Sequence, residues 1–299
     1  MRLSCTAAFG LFLYLATSSV SFGHSNQAEN EVGSVPTEFN CYEEKKLRIP
    51  FSICYRDLKS TNSDDVVYFF HDMDSDEKDW FKAVNGLPQV QRIWDQAGYR
   101  PRVVSLSFGR RKMLVKNIAT PEHGFFMKEA IPFIENEILG GLRNGKRHIV
   151  GQAAGAVSVS NVALRKDVPF ATVSLLCPAL TDLNPYATEK YALKYIEDNH
   201  LNAALVLKQQ KLQKENYLSA GDWEGNNVNL LLSKFGNKMR PAIYVSAGSS
   251  GGAGFELGID TFITTAKRLG FHPTWEPTNG RHCSYREPGF ANFILSESH

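Results

Sequence analysis

A glycine-flanked turn is the part of this sequence whose residue spacing comes nearest to a catalytic motif. The segment Gly151-Gln152-Ala153-Ala154-Gly155 follows the short apolar run His148-Ile149-Val150 and leads into a helical pattern over 154–165. A strand, a tight turn and a helix in this order make the context of a nucleophile elbow, written Gly-x-Ser-x-Gly, in which the serine attacks a carbonyl carbon. The central residue here is Ala153, and its methyl group cannot act as a nucleophile.

The elements on either side of this turn alternate between strand and helix. Short apolar runs predict buried strands, and apolar residues at helical spacing followed by glycine predict helices. The predicted strands are 47–55, 66–70, 102–107, 148–150, 170–176, 242–246 and 271–275, and the predicted helices are 79–96, 124–139, 154–165 and 255–269. This order predicts an α/β fold with a mostly parallel central sheet flanked by helices on both faces.

A long insertion interrupts the alternation. Residues 183–238 contain two helical patterns, 189–197 and 203–217, and no clear strand. An insertion of this kind over the strand ends would behave as a helical cap.

The composition fits one large globular domain. The chain has 299 residues, of which 43% are hydrophobic and 21% charged, and its net charge is +2. Nucleic-acid binders usually carry a clustered basic excess, so no nucleic-acid partner is expected. The eight histidines are scattered without ligand spacing, so we expect no metal site and no cofactor.

The N-terminus has the pattern of a secretory signal. An apolar run from Leu3 to Val20 is followed by small residues suited to cleavage near Gly23. We therefore expect a signal peptide at 1–23, a disordered lead-in at 24–37 and one domain at 38–299, in a secreted or periplasmic protein. The alternative is a membrane anchor, for which the run is short and rich in Ser and Thr. No second long apolar run follows, so we do not expect an integral membrane protein after cleavage.

Four cysteines remain after the expected cleavage, and export permits disulfides. Cys41 and Cys54 flank a polar turn in a segment that predicts a hairpin, so they are candidates for a bridge; the alternative is two free buried thiols. Cys177 ends a strand beside the elbow, and Cys283 adjoins His282. This second pair could form a disulfide, remain free, or supply a thiol nucleophile paired with His282.

Further segments match one known pattern from about Cys41 to the C-terminus. Together with the elbow, they are Val67-Tyr68-Phe69-Phe70-His71 followed by 75–80, then 102–109, 129–135, Cys177-Pro178-Ala179 and Asn279-Gly280-Arg281-His282. With these segments the chain resembles the esterase D-like branch of the α/β hydrolases, which includes feruloyl and S-formylglutathione esterases. The resemblance implies an α/β-hydrolase fold and, for the family, ester hydrolysis by a triad of serine, histidine and acid.

The resemblance also implies where a triad would lie. Ala153 stands at the nucleophile, His282 at the catalytic histidine and Gly251 at the acid. Ala153 cannot act as a nucleophile and Gly251 cannot act as an acid, so His282 is the one triad residue that the sequence retains. Asp182, which follows the strand ending at 176, is an alternative acid. Loss of two triad groups favours natural loss of catalysis over an engineered change of the serine alone.

A third departure lies in the oxyanion loop. The resemblance places backbone N–H donors on Ala154 and near Asp72 or Met73, with His71 ordering the loop and Gln152 beside the nucleophile position. Asp72 stands where the family has a glycine. Its carboxylate would bring negative charge to the place where an oxyanion develops, which opposes catalysis.

Two other features carry groups that could do chemistry. Ser158 and Ser160 follow the elbow, but on the helix they are expected to point away from the strand ends and not to replace the nucleophile. The basic run Arg110-Arg111-Lys112 is expected near the rim of the site, where it either holds an anionic group or is a solvated loop.

Two classes of function follow. The first is an exported, catalytically inactive esterase homologue that acts by binding a small ester or acyl ligand, or a partner protein. The second is an active hydrolase of ester or acyl substrates with a non-standard nucleophile or acid.

Overall fold

The computed structural model describes residues 38–56, 58–83, 85–116, 123–142, 144–165, 169–234, 241–249, 252–281 and 283–298. The expected signal peptide and lead-in, 1–37, lie outside the described residues. So do Gly251 and His282, the two triad positions expected on the loops after the last strands.

The strands of the described part form one mixed sheet. They are β1 (Phe39–Glu44), β2 (Phe51–Arg56), β3 (Val66–Phe70), β4 (Arg102–Ser107), β5 (Arg147–Gln152), β6 (Thr172–Leu176), β7 (Ala242–Gly248) and β8 (Thr274–Thr278). Their order across the sheet is β1-β2-β4-β3-β5-β6-β7-β8. β3 to β8 pair in parallel, whereas β1 and β2 form a hairpin that joins β4 antiparallel.

Helices cover both faces of this sheet. They are α1 (Asp79–Lys82), α2 (Leu87–Gln96), α3 (four consecutive segments, His123–Phe125, Phe126–Ala130, Ile131–Phe133 and Ile134–Ile138), α4 (Ala154–Ala163), α5 (Glu189–Asp198), α6 (Ala203–Lys214), α7 (Ala220–Asn226), α8 (Val228–Lys234), α9 (Phe255–Arg268) and α10 (Glu287–Ser298). The expected α/β architecture, a mostly parallel sheet flanked by helices, is confirmed. In the described part of the chain, none of the helices has the length and hydropathy needed to cross a membrane.

The central strand β3 shows why apolar runs predict this architecture. All five of its residues are buried. Val67 and Phe69 belong to the cluster formed with α1, α2 and α10, whereas Tyr68 and Phe70 belong to the cluster formed with α3, α4 and α9. A strand buried on both faces has no solvent side, so its sequence is continuously apolar instead of alternating.

Three elements differ from the sequence-based expectation for a local reason. The strand expected at 47–55 begins at Phe51, because Leu47 belongs to the hairpin turn, where its N–H donates to Glu44 Oε1 at 3.1 Å. The single helix expected at 79–96 is divided into α1 and α2, because Gly86 has a non-helical backbone at φ −128° and ψ −146°. The last strand begins at Thr274 instead of 271, because Phe271 closes the end of α9. Its N–H donates to the Ala266 oxygen at 2.9 Å, after Gly270 at φ +76°.

The expected hairpin around the polar turn is present, and β1 is its outer strand, where four consecutive residues are exposed. Three helices were not expected from the sequence. The C-terminal helix α10 packs against α2 and contributes Phe290 and Ile294 to the core. The insertion contains α7 and α8 in addition to α5 and α6.

Buried asparagines join the inserted helices to the sheet domain. The side-chain oxygen of Asn216 accepts from the Met113 N–H at 2.9 Å, and that of Asn226 accepts from the Lys116 N–H at 2.8 Å. Asn229 donates to the Gly258 carbonyl oxygen at 3.1 Å. Because a buried amide is stable only when it is hydrogen-bonded, these contacts fix where the insertion lies.

A buried carboxylate organises the amino ends of the parallel strands. Asp65 accepts from the Lys146 N–H at 2.7 Å and from the Tyr99 hydroxyl at 3.0 Å, and it faces His148 at 3.9 Å. Burial by itself raises the pKa of Asp65. The contacts with His148, Lys146 and Tyr99 outweigh that effect, so its pKa lies below the ordinary value for aspartate.

Asp65→Asn should lower the free energy of unfolding by about 1–3 kcal/mol at pH 7, because it removes a charge that accepts two hydrogen bonds. Since the folded pKa is below the unfolded value of about 3.9, this stabilisation is present above about pH 4 and is lost as the pH falls through the folded pKa. Urea unfolding at pH 7 and pH 3 measures the difference, which should shrink at the lower pH.

The matched control is Asp64→Asn, the neighbouring and more exposed carboxylate that pairs with Arg102 at 2.8 Å. Exposed pairs contribute little, so this change should cost less than about 1 kcal/mol. Equal losses for the two variants, or a loss in Asp65→Asn that is the same at both pH values, would contradict the described network.

Candidate functional site

The elbow at the end of β5 has a strained backbone. Ala153 lies between β5 and α4 with φ 50° and ψ −110°, a conformation that residues with a side chain rarely adopt. Its N–H donates to the Leu176 oxygen at 2.9 Å, and its own oxygen accepts from the Ala179 N–H at 3.1 Å. Both partners lie at the end of β6 or just beyond it, so the neighbouring strand holds the turn in place.

The two glycines of the elbow are required by close backbone contact. A side chain at Gly151 would collide with the backbone of Gly155 and Ala156. A side chain at Gly155 would collide with the carbonyl oxygens of Phe70 and His71. The first turn of α4 therefore packs directly onto β5 and onto the end of β3, which brings the Ala154 N–H beside the loop after β3.

The Asp72 carboxylate lies between the two backbone donors named from the sequence. Its Oδ1 atom accepts from the Met73 N–H at 2.7 Å and from the Ala154 N–H at 3.3 Å. The sequence predicts that Asp72 brings charge to this position. The structure shows more, because one oxygen of that side chain is hydrogen-bonded to both N–H groups.

The loop that carries these groups is fixed by its own hydrogen bonds. The His71 Nδ1–H donates to the Asp72 carbonyl oxygen at 2.6 Å, and the Ser75 N–H donates to the same oxygen at 3.1 Å. The Arg111 N–H donates to the Met73 oxygen at 3.0 Å. His71 thus bonds to its own loop, and the exposed basic run at 110–112 lies beside that loop.

Burial dominates the titration of Asp72 and raises its pKa above the ordinary value for aspartate. The bonds from Met73 and Ala154 favour the ionised form and oppose this shift, and the neighbouring Asp74 adds a small increase. A carboxylate in this place is thus partly desolvated, and the two N–H donors are what hold its ionised form there.

Both cysteine pairs are disulfide-bonded. Cys41 and Cys54 face each other across the β1–β2 hairpin, and Cys177 is joined to Cys283. The second bond attaches the loop after β8 to the end of β6, beside the elbow. Gln152 donates from Nε2 to the Cys283 sulfur at 3.5 Å. Of the three alternatives for Cys177 and Cys283, the structure thus has the disulfide, which leaves neither sulfur as a thiol nucleophile.

The other candidate groups are held by hydrogen bonds of their own. Asp182 is exposed, and its two carboxylate oxygens accept from Asn229 Nδ2 and Thr261 Oγ1, each at 2.7 Å. Ser158 and Ser160 are buried within α4, and their hydroxyls donate to backbone oxygens one turn earlier. The histidine position that Asp182 would serve, His282, lies outside the described residues.

The insertion packs tightly against the elbow helix. A cavity of about 20 Å³ between them is lined by Val157 of α4, Ala179 after β6, and Trp223 and Asn226 of the insertion. That volume holds about one water molecule. This cavity is therefore too small for an organic ligand.

A second grouping of serine, histidine and aspartate lies at the opposite end of the sheet. Ser298 Oγ is 3.4 Å from His148 Nε2, and Asp65 Oδ2 is 3.9 Å from the same nitrogen. In a triad the serine and the acid contact different nitrogens of the histidine ring, so that the acid orients the ring and the ring activates the serine. Here both face Nε2, and Nδ1 is bonded to Thr172. This buried grouping therefore stabilises the fold and cannot work as a triad.

Several solved structures with a similar fold align over nearly the whole chain. A ferulic acid esterase aligns with a TM-score of 0.61 and 15% identity, covering 87% of this chain and 97% of that one. The S-formylglutathione hydrolase FrmB from Staphylococcus aureus aligns with a TM-score of 0.58 and 14% identity, covering 88% and 99%. Mycobacterium tuberculosis MPT51 aligns with a TM-score of 0.62 and 12% identity, covering 88% and 99%.

The fold is that of the α/β hydrolases. No protein-family model matches the chain, and no curated protein matches it. At identities of 12–15% the likeness establishes the α/β-hydrolase fold and leaves the activity to be argued from the site.

Gly155→Ala tests the backbone contact on which this α/β-hydrolase elbow depends. The added methyl group would collide with the ends of β3 and push α4 away, so the free energy of unfolding should fall by about 1–3 kcal/mol. Gly225→Ala in α7 is the control, because an added Cβ there meets no atom within 4 Å. That change should stabilise by about 0.4–1 kcal/mol. Urea denaturation measures the free energy of unfolding of both variants. A Gly155 variant as stable as the control would show that α4 does not pack as described.

Proposed function

We propose that this protein is an exported, catalytically inactive homologue of the esterases with the α/β-hydrolase fold, and that it acts by binding a ligand or a partner protein. The observation that carries the proposal is Ala153 on the elbow, at φ 50°. The backbone at Ala153 has the sharp turn of a nucleophile elbow, but the alanine side chain has no nucleophilic atom. On this proposal Ala153 occupies the nucleophile position and Gly251 the position of the acid.

The expected loss of activity is large. The groups of a triad act as a unit, and removing the nucleophile costs about a millionfold in turnover. What remains in such variants comes from substrate binding and the oxyanion donors. Here the Ala154 and Met73 N–H groups already donate to Asp72, so we expect little of that residual activity either.

The alternative, an active hydrolase with another nucleophile, receives little support from the groups that could serve it. Cys177 and Cys283 are bonded to each other. Ser158 and Ser160 are buried inside α4. Asp182, the alternative acid, is held by Asn229 and Thr261.

Two properties guide the search for what the protein binds. Two disulfides are consistent with a secreted or extracellular protein. The solved structures that share the fold include proteins named as esterases and hydrolases. A small ester or acyl compound is therefore the first class of ligand to test, and a partner protein is the second.

The purified protein should neither react with a serine-directed fluorophosphonate probe nor hydrolyse p-nitrophenyl acetate above a buffer control. The physical reason is that no hydroxyl occupies the elbow. Labelling with the probe, or turnover near the rate of about ten per second that is typical of enzymes, would support the active alternative. Mass spectrometry of a labelled peptide would then identify the reacting residue.

Stepwise restoration of the chemical groups measures how many were lost. Ala153→Ser alone should stay near background, because its histidine would lack an acid, and loss of that acid costs about ten-thousandfold in a complete triad. Ala153→Ser with Gly251→Asp should exceed the single variant. Adding Asp72→Gly should raise activity further, since one oxyanion donor contributes about a hundred- to thousandfold. An esterase assay on variants of confirmed fold makes the comparison.

The matched control replaces Asp72→Gly by Asp74→Gly, which removes the same charge from an exposed position on the same loop and should add no activity. Full activity of Ala153→Ser alone would mean that an acid already exists, with Asp182 the first suspect, and that only one group was lost. If the folded triple variant shows no esterase activity, the pocket itself has changed, and a partner protein becomes the favoured binding target.

A further inference from the structure

We infer that the Asp72 carboxylate is a built-in occupant of the anion-binding position at the elbow, and that it denies this position to the carbonyl or carboxylate oxygen of a ligand. Asp72 is then a specificity-determining residue. The inference rests on the proposed function and narrows how that site can bind a ligand, because an ester or acyl compound would have to bind without placing its carbonyl oxygen at these two donors.

The two donors converge on one oxygen atom. Asp72 Oδ1 lies 2.7 Å from the Met73 nitrogen and 3.3 Å from the Ala154 nitrogen. Ala154 begins α4, so the positive end of the helix dipole adds to the attraction for an anion. An acyl oxygen that used these donors would have to lie within hydrogen-bond distance of both nitrogen atoms, where Oδ1 now lies.

The donors themselves cannot turn away to serve a second acceptor. The peptide group that carries the Met73 N–H is fixed through the Asp72 carbonyl oxygen, which accepts from His71 and Ser75. The Met73 carbonyl oxygen is fixed as well, because it accepts from the Arg111 N–H. The Ala154 peptide is held because Gly155 packs against the end of β3. A ligand oxygen could therefore gain these two hydrogen bonds only by displacing the Asp72 side chain.

Displacement is unfavourable for two reasons. Asp72 is tethered one residue from one donor, so it competes as an intramolecular ligand at a high effective concentration. If its side chain swings aside, a partly desolvated carboxylate still lies near the incoming oxygen and repels the full negative charge of a carboxylate or the partial negative charge of a carbonyl oxygen. Carbonyl and carboxylate oxygens are thus disfavoured both by occupancy and by charge.

The chemistry of the side chain suggests a direct test by rescue. Asp72→Gly removes a CH₂–COO⁻ group, and acetate supplies the same group from solution. We expect acetate to bind Asp72→Gly saturably, to shift the backbone amide signals of Met73 and Ala154 in ¹H–¹⁵N spectra and to raise the melting temperature. Wild-type protein should show neither change over the same range of sodium acetate, compared at equal ionic strength with sodium chloride.

Two matched variants separate occupancy from charge. Asp74→Gly removes a carboxylate from the same loop without opening the position, and it should behave as wild type. Asp72→Asn keeps an oxygen that can accept from both N–H groups while losing the charge, and it should also not bind acetate. Acetate binding to Asp72→Asn as strong as to Asp72→Gly would show that charge alone excludes anions and would overturn the occupancy.

A measurement on the unaltered protein covers the case in which Asp72→Gly does not fold. The amide protons of Met73 and Ala154 should titrate together with the Asp72 side-chain carbon. Amides that do not follow Asp72, wild-type amides that shift with acetate, or a folded Asp72→Gly without acetate binding would each overturn the inference. These readouts are independent of turnover, so an esterase activity in the wild-type protein would contradict the proposed function alone.

Discussion

The close backbone contact between the first turn of α4 and the ends of β3 and β5 is the constraint on which the site depends. Gly151 and Gly155 allow it, because any Cβ at either position would overlap backbone atoms. The contact sets the direction of the Ala154 N–H and its distance from the loop after β3. It also forces the sharp turn at Ala153. The donors, the elbow and the position of Asp72 are therefore consequences of how one helix packs on two strands.

The strain at Ala153 persists although no nucleophile uses it. A non-glycine residue in a sparsely populated backbone region costs about 1–3 kcal/mol and survives only where its surroundings determine it. Here the surroundings are the Leu176 oxygen on one side and the Ala179 N–H on the other, both bonded to Ala153. The same hydrogen bonds link β5 to β6, so relaxing the turn would disrupt the middle of the sheet. The elbow geometry is therefore set by packing and backbone hydrogen bonds, and it does not require a nucleophile at Ala153.

Much of the fold could be predicted because it depends on patterns within short segments. The apolar run of β3 and the glycine spacing of the elbow are patterns of this kind, and both lie where the sequence predicts them. What could not be predicted depends on contacts between distant segments. The sequence shows that Asp72 carries a charge, but its bond to Ala154 requires the fold to bring together residues 82 positions apart. The asparagines that hold the insertion, such as Asn226, likewise have no periodic signal. Gly251 and His282 stay sequence-based predictions.

On the proposed function, this site can satisfy hydrogen-bond donors that an active enzyme must leave available. An oxyanion hole works because its N–H donors are preorganised and free to receive a developing charge, and donors left without a partner in a partly buried place lower stability. In this protein Asp72 accepts from both donors, and the Cys177–Cys283 disulfide anchors the loop after β8 beside them. Both features stabilise this end of the sheet, and on the proposed function the bonds to Asp72 would also leave neither N–H free for a developing oxyanion. The same contacts that make the elbow region more stable therefore also account for the expected lack of esterase activity.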